Sequence, residues 1–165
     1  FKAEFDKART MFAAGKAGTE GDWAYTKDWE PVAWMSSDVW VRIKCDLVVM
    51  LSKDHVVVVD YKSGRRFGNE LKHAQQMQLY VLGTLFRYPK VKTVTTELWY
   101  IDQDELKSMT FTRDQGMRFL KNFENRANIM TTCEDFKPNP NIFSCKWCSY
   151  KPVEKGGTGH CPVGV

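Results

Sequence analysis

The chain has 165 residues, of which 43% are hydrophobic and 27% charged, as expected for a globular protein with one hydrophobic core. No apolar run approaches the roughly 18–20 residues that cross a bilayer, and the charged residues 1–10 do not resemble a secretory signal. We therefore expect an intracellular protein with no membrane partner. The net charge of +4, from 24 basic and 20 acidic residues, permits nucleic-acid binding without indicating it.

Hydrophobic periodicity and turn residues predict a mixture of helices and strands. The predicted elements are, in chain order, a helix at 1–15, strands at 29–35, 38–50 and 56–61, a helix at 68–87, strands at 91–101 and 108–112, and a helix at 113–130. This order is typical of the α/β or α+β class, with a mixed central sheet flanked by helices. Residues 1–132 should form the core of a single domain. Residues 133–165 should form an irregular Cys-rich tail packed on it.

Two acidic residues and a lysine are predicted to meet on one face of the sheet. Asp60 and Lys62 are two positions apart on one strand, so their side chains leave the same face. A hairpin turn at Ser52-Lys53-Asp54 places position 46 across from position 60, and position 46 is also an aspartate. Carboxylate oxygens are the ligands that Mg²⁺ and Mn²⁺ prefer, and a neighbouring lysine can stabilise charge in a phosphodiester transition state. On these residues alone, a simple strand end remains the alternative.

The surrounding motifs resemble those of a nuclease family. The runs are Val-Arg-Ile-Lys-Cys-Asp46, Val-Val-Asp60-Tyr61-Lys62-Ser-Gly and Gln76-Met-Gln-Leu-Tyr80. Their order and spacing are similar to successive motifs of RecB-like nucleases in the PD-(D/E)XK superfamily. The resemblance covers about residues 38–150 and implies a restriction-endonuclease-like core.

The same resemblance implies roles for individual residues. Asp46, Asp60 and the backbone carbonyl of Tyr61 would bind Mg²⁺ or Mn²⁺, and Lys62 would serve catalysis. Gln76 and Tyr80, four apart and thus on one helical face, would position substrate and active-site groups. Gln78 should point elsewhere.

One family feature has no obvious counterpart. Many RecB-like nucleases carry a metal-binding histidine or a helical glutamate upstream of the first aspartate. The histidines His55, His73 and His160 all follow Asp46. Glu4 and Glu20 are the acidic alternatives, although a surface position is the simpler interpretation of both.

The tail resembles the cysteine segment of RecB-like proteins that hold an iron–sulfur cluster. Cys145, Cys148 and Cys161 would bind a [4Fe–4S] cluster or Zn²⁺, with Cys133 as the fourth ligand. For zinc, His160 is another candidate. A cysteine segment without metal is the remaining alternative.

DNA is the predicted partner. Arg65, Arg66 and Lys72 follow the catalytic lysine and are placed to contact phosphates without reading sequence. Trp23, Trp29, Trp34 and Trp40 would stack on single-stranded bases or pack in the core. These features favour an exonuclease on DNA ends, in recombination, repair or phage DNA metabolism. The alternatives are a structure-specific or restriction-like endonuclease, an inactive DNA-binding module, and a zinc-ribbon interaction protein.

Overall fold

The computed structural model describes residues 1–64, 67–135 and 137–165. Arg65 and Arg66, the predicted phosphate contacts, lie outside the described residues. The chain divides into two compact units, residues 1–126 and residues 127–165. None of the helices in the described ranges is long and apolar enough to cross a membrane.

The first unit contains a six-stranded mixed sheet in the order β2-β1-β3-β4-β5-β6, in which the β4–β5 pair is parallel and the others are antiparallel. The strands are β1 (Ala17–Tyr25), β2 (Pro31–Val32), β3 (Val41–Met50), β4 (His55–Lys62), β5 (Thr93–Tyr100) and β6 (Glu105–Thr112). The helices are α1 (Lys2–Ala13), α2 (Glu70–Arg87), α3 (Arg113–Met117), α4 (Leu120–Thr132) and, in the second unit, α5 (Ile142–Trp147). A mixed sheet flanked by helices confirms the predicted fold class.

Helix α2 covers one face of the sheet and α1 covers the other. On the α2 face, Met77, Tyr80 and Val81 pack against Val56 and Val58 of β4. On the opposite face, Phe1, Ala8 and Met11 pack against a smaller cluster that contains Val57, Val59 and Trp99. The alternation of β4 is therefore regular, and it directs Asp60 and Lys62 towards α2.

The alternation of β3 side chains between the two faces of the sheet is interrupted at Asp46. Ile43 and Cys45 belong to the α2-side core, whereas Leu47 belongs to the core under α1 and Val48 returns to the α2 side. Glu20, which lies opposite Asp46 in the register between Thr19↔Leu47 and Gly21↔Cys45, has a left-handed φ of 51°. A non-glycine residue rarely adopts this conformation inside a strand. Both β1 and β3 are therefore irregular at this point.

The sequence-based predictions of the elements were wrong in four places. Strand β1 was missed because its two glycines and Glu20 break the period-two pattern, and the strand predicted at 29–35 is reduced to Pro31–Val32. The helix predicted at 113–130 is two helices, with the Thr112 side chain capping the first. In the second unit, α5 forms in the tail that was predicted to be irregular, where the Asn141 side chain accepts a hydrogen bond from the Ser144 N–H.

Candidate active site

The aspartates at positions 46 and 60 lie on adjacent strands, where the β3–β4 ladder ends. Paired positions run from Met50↔Val56 to Leu47↔Val59, and the next pair in this register would be Asp46 and Asp60. Beyond that point the Asp46 carboxylate, through Oδ2, accepts the Tyr61 N–H at 2.7 Å. The Asp46 side chain thus replaces a backbone carbonyl as the acceptor for this amide, and it lies beside the last residues of β4.

The carboxylate of Asp60 is buried and held on several sides. The residue is 4% exposed. Its Oδ1 accepts hydrogen bonds of 3.0 Å from Gln76 Nε2 and 3.0 Å from the Tyr80 hydroxyl. Its Oδ2 lies 2.6 Å from Lys62 Nζ as an ion pair, but no donor among the described residues is aligned on this oxygen as a hydrogen bond. One buried oxygen therefore keeps a lone pair for a further cation.

Gln76 joins the lysine to the aspartate. Its Oε1 accepts from Lys62 Nζ at 2.7 Å, and its Nε2 donates to Asp60 Oδ1 and to the Tyr80 hydroxyl, the latter at 2.7 Å. An amide side chain can accept and donate at once, so Gln76 holds an ammonium and a carboxylate in fixed positions. The structure thus brings Gln76 to the site, and Gln78 instead lines a groove with Met77 and Leu98.

Tyr80 anchors this network to the sheet. Its ring is 4% exposed, and its hydroxyl lies 2.8 Å from the Lys44 carbonyl oxygen and 3.0 Å from Asp60 Oδ1. The hydroxyl has one proton, which these two acceptors share while the oxygen accepts from Gln76. Burial, and then the negative charge of Asp60, raise the pKa of Tyr80 far above its ordinary value. The phenol therefore stays protonated and acts as a donor.

Desolvation raises the pKa of Asp46 above its ordinary value, and the negative charges of Asp60 and Glu20 raise it further. The Tyr61 N–H opposes this shift. A bound divalent cation would offset the electrostatic repulsion between the two carboxylates. Together with the Tyr61 carbonyl, the two carboxylates would form a hard oxygen donor set of the kind that suits Mg²⁺ or Mn²⁺.

The upstream carboxylates do not complete a larger ligand cluster. Glu20 is exposed, and its carboxylate lies 3.2 Å from Lys44 Nζ, which is also 3.8 Å from Asp22. Glu4 is on α1, which covers the other face of the sheet. Among the described residues, no group of three His, Cys, Asp or Glu side chains is arranged to hold a metal ion. An ion at Asp46 and Asp60 would need the carbonyl and water as further ligands.

The cysteine tail does not support the predicted iron–sulfur or zinc site. All five thiols are free, and within the described part of the chain Cys133, Cys145, Cys148 and Cys161 form no metal-binding group. Cys145 is buried in α5, while Cys133 Sγ donates to the Asp135 carbonyl at 3.2 Å. Hydrogen bonds such as Cys161 N–H to the Tyr150 carbonyl order the loops instead. The described residues therefore give no support to the prediction that these cysteines converge on a metal.

The tryptophans proposed for base stacking differ in exposure. Trp23 and Trp29 are 4% and 3% exposed and belong to the α2-side core, so they cannot stack on DNA. Trp40 is half-buried and packs against the same core. Trp34 is half-buried beneath the Arg42 guanidinium, whose carbon lies 5.5 Å from the ring centroid. Packing accounts for at least three of the four.

Sequence reasoning missed His73 as a neighbour of the site. His73 precedes Gln76 by three residues on α2, and its Nδ1 is 2.8 Å from the Tyr100 hydroxyl. Tyr100 is the parallel-register partner of Lys62. The i, i+3 spacing from Gln76 is the signal by which the sequence could have identified His73.

Comparison with known proteins identifies the family of this chain. The search of curated proteins found no match. Among solved structures, the crystal structure of SSO0001 is similar with a TM-score of 0.40 and 12% sequence identity, covering 90% of this chain and 61% of that one. This chain thus spans about three fifths of the length of that structure. The family model for the PD-(D/E)XK nuclease superfamily matches residues 5–153, and the chain therefore belongs to the PD-(D/E)XK nuclease superfamily.

Proposed function

We propose that this chain is a metal-dependent deoxyribonuclease that hydrolyses phosphodiester bonds at DNA ends. The observation that carries the proposal is the connected network of Asp60, Lys62, Gln76 and Tyr80, with Asp46 beside it on β3. Nucleases of this superfamily typically use Mg²⁺ or Mn²⁺, and the two aspartates with the Tyr61 carbonyl supply a suitable donor set.

When bound there, the ion would polarise the phosphodiester and lower the pKa of a bound water. The chain's own residues have complementary tasks. Asp46 and Asp60 hold negative charge at the end of the β3–β4 ladder. Lys62, positioned by Asp60 and Gln76, presents a positive charge to the negative charge that develops in the transition state.

Gln76 and Tyr80 are proposed as positioning residues. Their hydrogen bonds fix the Asp60 carboxylate and the Lys62 ammonium before substrate arrives. Preorganised groups need no reorientation during reaction. Because the hydrogen bonds around Asp60 and Lys62 are complete, we favour an active enzyme over an inactive module.

The preference for DNA ends is supported by the sequence, which contains no obvious base-reading motif. Lys72, exposed on α2, and the neighbouring Arg65 and Arg66 are proposed phosphate contacts that do not distinguish sequence. We place the activity in recombination, repair or phage DNA metabolism. The alternative on the same core is a structure-specific or restriction-like endonuclease.

One assay separates these functions. Linear DNA labelled at either end and circular single-stranded DNA are incubated with the protein and Mg²⁺ or Mn²⁺. An exonuclease shortens the linear DNA and leaves the circle intact, whereas cleavage of the circle identifies an endonuclease. The Asp60→Asn variant is the matched control, because it keeps the side-chain volume and removes the charge that attracts the ion. If wild-type protein and this variant both leave all substrates intact, the proposed activity is refuted.

A further inference from the structure

His73 lies next to the candidate active site but has no role in the chemistry described so far. It is half-buried on α2, on the helical face that also carries Gln76. Its ring centroid is 5.7 Å from that of Tyr100, and its Nδ1 is 2.8 Å from the Tyr100 hydroxyl. Because Tyr100 pairs with Lys62 across β4 and β5, the imidazole lies alongside the lysine.

Within the described ranges no hydrogen bond or ion pair reaches His73 Nε2. Burial and the nearby Lys62 ammonium lower the pKa of His73 below its ordinary value, so the ring is neutral at neutral pH. When the Tyr100 hydroxyl donates to Nδ1, the ring carries its proton on Nε2. A neutral N–H donor is then available beside the candidate active site.

We propose that His73 binds the substrate: its Nε2–H donates a hydrogen bond to a non-bridging phosphate oxygen of the DNA strand, next to the linkage that is cut, while Tyr100 holds the ring. This inference rests on the proposed nuclease function, and it adds a phosphate-binding residue to that site. A neutral imidazole held by Tyr100 contributes one directed hydrogen bond, whereas a surface lysine contributes a charge on a flexible side chain.

Two substitutions separate this role from a structural one. In His73→Asn the amide occupies the place of Nδ1, so the contact to Tyr100 can persist but the donor at Nε2 is lost. In His73→Gln the amide nitrogen reaches the place of Nε2, so the donor to substrate is kept and the Tyr100 contact is lost. The matched control is His55→Asn, because His55 is at the opposite end of β4, roughly 20 Å of strand away, and hydrogen-bonds Thr95.

The expected result is a loss of substrate affinity in His73→Asn alone. A hydrogen bond to a charged group corresponds to about a ten- to hundredfold change in equilibrium constant. We expect KM, and the Kd for DNA measured by fluorescence anisotropy with Ca²⁺ in place of Mg²⁺, to rise by about this factor. The kcat should change little. His73→Gln and His55→Asn should remain within about threefold of wild type, with thermal melting used to confirm that all variants fold.

The reverse order, with His73→Asn normal and His73→Gln impaired, would show that His73 acts through Tyr100 and would overturn the proposal. Equal affinity of all variants would overturn it as well. A series of oligonucleotides with single methylphosphonate linkages provides an independent measurement, since the penalty of His73→Asn should disappear at one linkage. A penalty that is the same on every oligonucleotide contradicts a phosphate contact. The binding measurement does not depend on cleavage, so failure of the nuclease assay and failure of this inference are distinguishable.

Discussion

Replacing Lys62 by alanine removes the cation that faces a buried carboxylate. The Lys62 side chain is 19% exposed and that of Asp60 is 5% exposed, with 2.6 Å between Nζ and Oδ2. Breaking such a pair generally costs about 3–5 kcal/mol, because the remaining charge is left uncompensated. Asp60 keeps its two donors, Gln76 and Tyr80, so we expect the lower end of this range, about 3 kcal/mol without divalent metal.

The same substitution should remove cleavage for a different reason. Loss of one transition-state contact lowers the rate by about 10²- to 10³-fold. Added metal ion should restore part of the stability, because a cation bound by Asp60 replaces the missing charge, but it should not restore the rate. The Kd for DNA should change little, since most affinity comes from other phosphate contacts.

The assay combines urea unfolding with and without Mg²⁺ and single-turnover cleavage of end-labelled DNA. Lys62→Met is the matched variant, because it keeps most of the side-chain volume and separates loss of charge from loss of packing. A Lys62→Ala protein that unfolds at the wild-type urea concentration would refute the buried ion pair. One that folds normally and cuts at the wild-type rate would refute the catalytic assignment.

Four further outcomes are expected. Asp46→Asn should abolish cleavage yet stabilise the metal-free protein at neutral pH. The pKa of Asp46 is raised, so the folded state binds more protons, and wild-type stability falls as pH rises from the ordinary carboxyl pKa through the raised one; melting of both proteins between pH 3 and 8 tests this. Tyr80→Phe should cost about 1–3 kcal/mol in urea unfolding, because the Lys44 carbonyl and Asp60 lose a donor; unchanged stability would contradict the network. Cys45, buried and with its pKa raised to about 12, should resist alkylation until the protein unfolds, and rapid modification detected by mass spectrometry would contradict its burial. Gly83→Ala should destabilise by about 1–3 kcal/mol, since an added Cβ would lie 2.6 Å from Ile43 Cδ1; a normal melting temperature would show that the helix moves away from the sheet without cost.

The parts of the site that follow local rules were predictable from the sequence. The hairpin between β3 and β4 placed Asp46 opposite Asp60, and helical spacing placed Gln76 and Tyr80 on one face. The partners of these groups depend on tertiary packing instead. The carbonyl of Lys44 as an acceptor for Tyr80, and Tyr100 as a partner for His73, follow from how α2 crosses the sheet. Periodicity contains no information about that crossing.

The shift in the alternation of β3 at Asp46 explains the position of the site. Regular alternation would have placed Asp46 on the same face as Arg42 and Lys44, which are exposed. The alternation is interrupted opposite Glu20, which has a left-handed conformation. After this point Leu47 faces the core under α1 and Val48 faces the core under α2. Pairing with β4 is not continued past Leu47↔Val59. The Tyr61 N–H is therefore left for the Asp46 carboxylate, and this hydrogen bond holds that carboxylate beside Asp60. An interrupted ladder is costly for a sheet, but here it leaves room between two strands for two acidic groups, which an unbroken ladder would have filled with backbone hydrogen bonds.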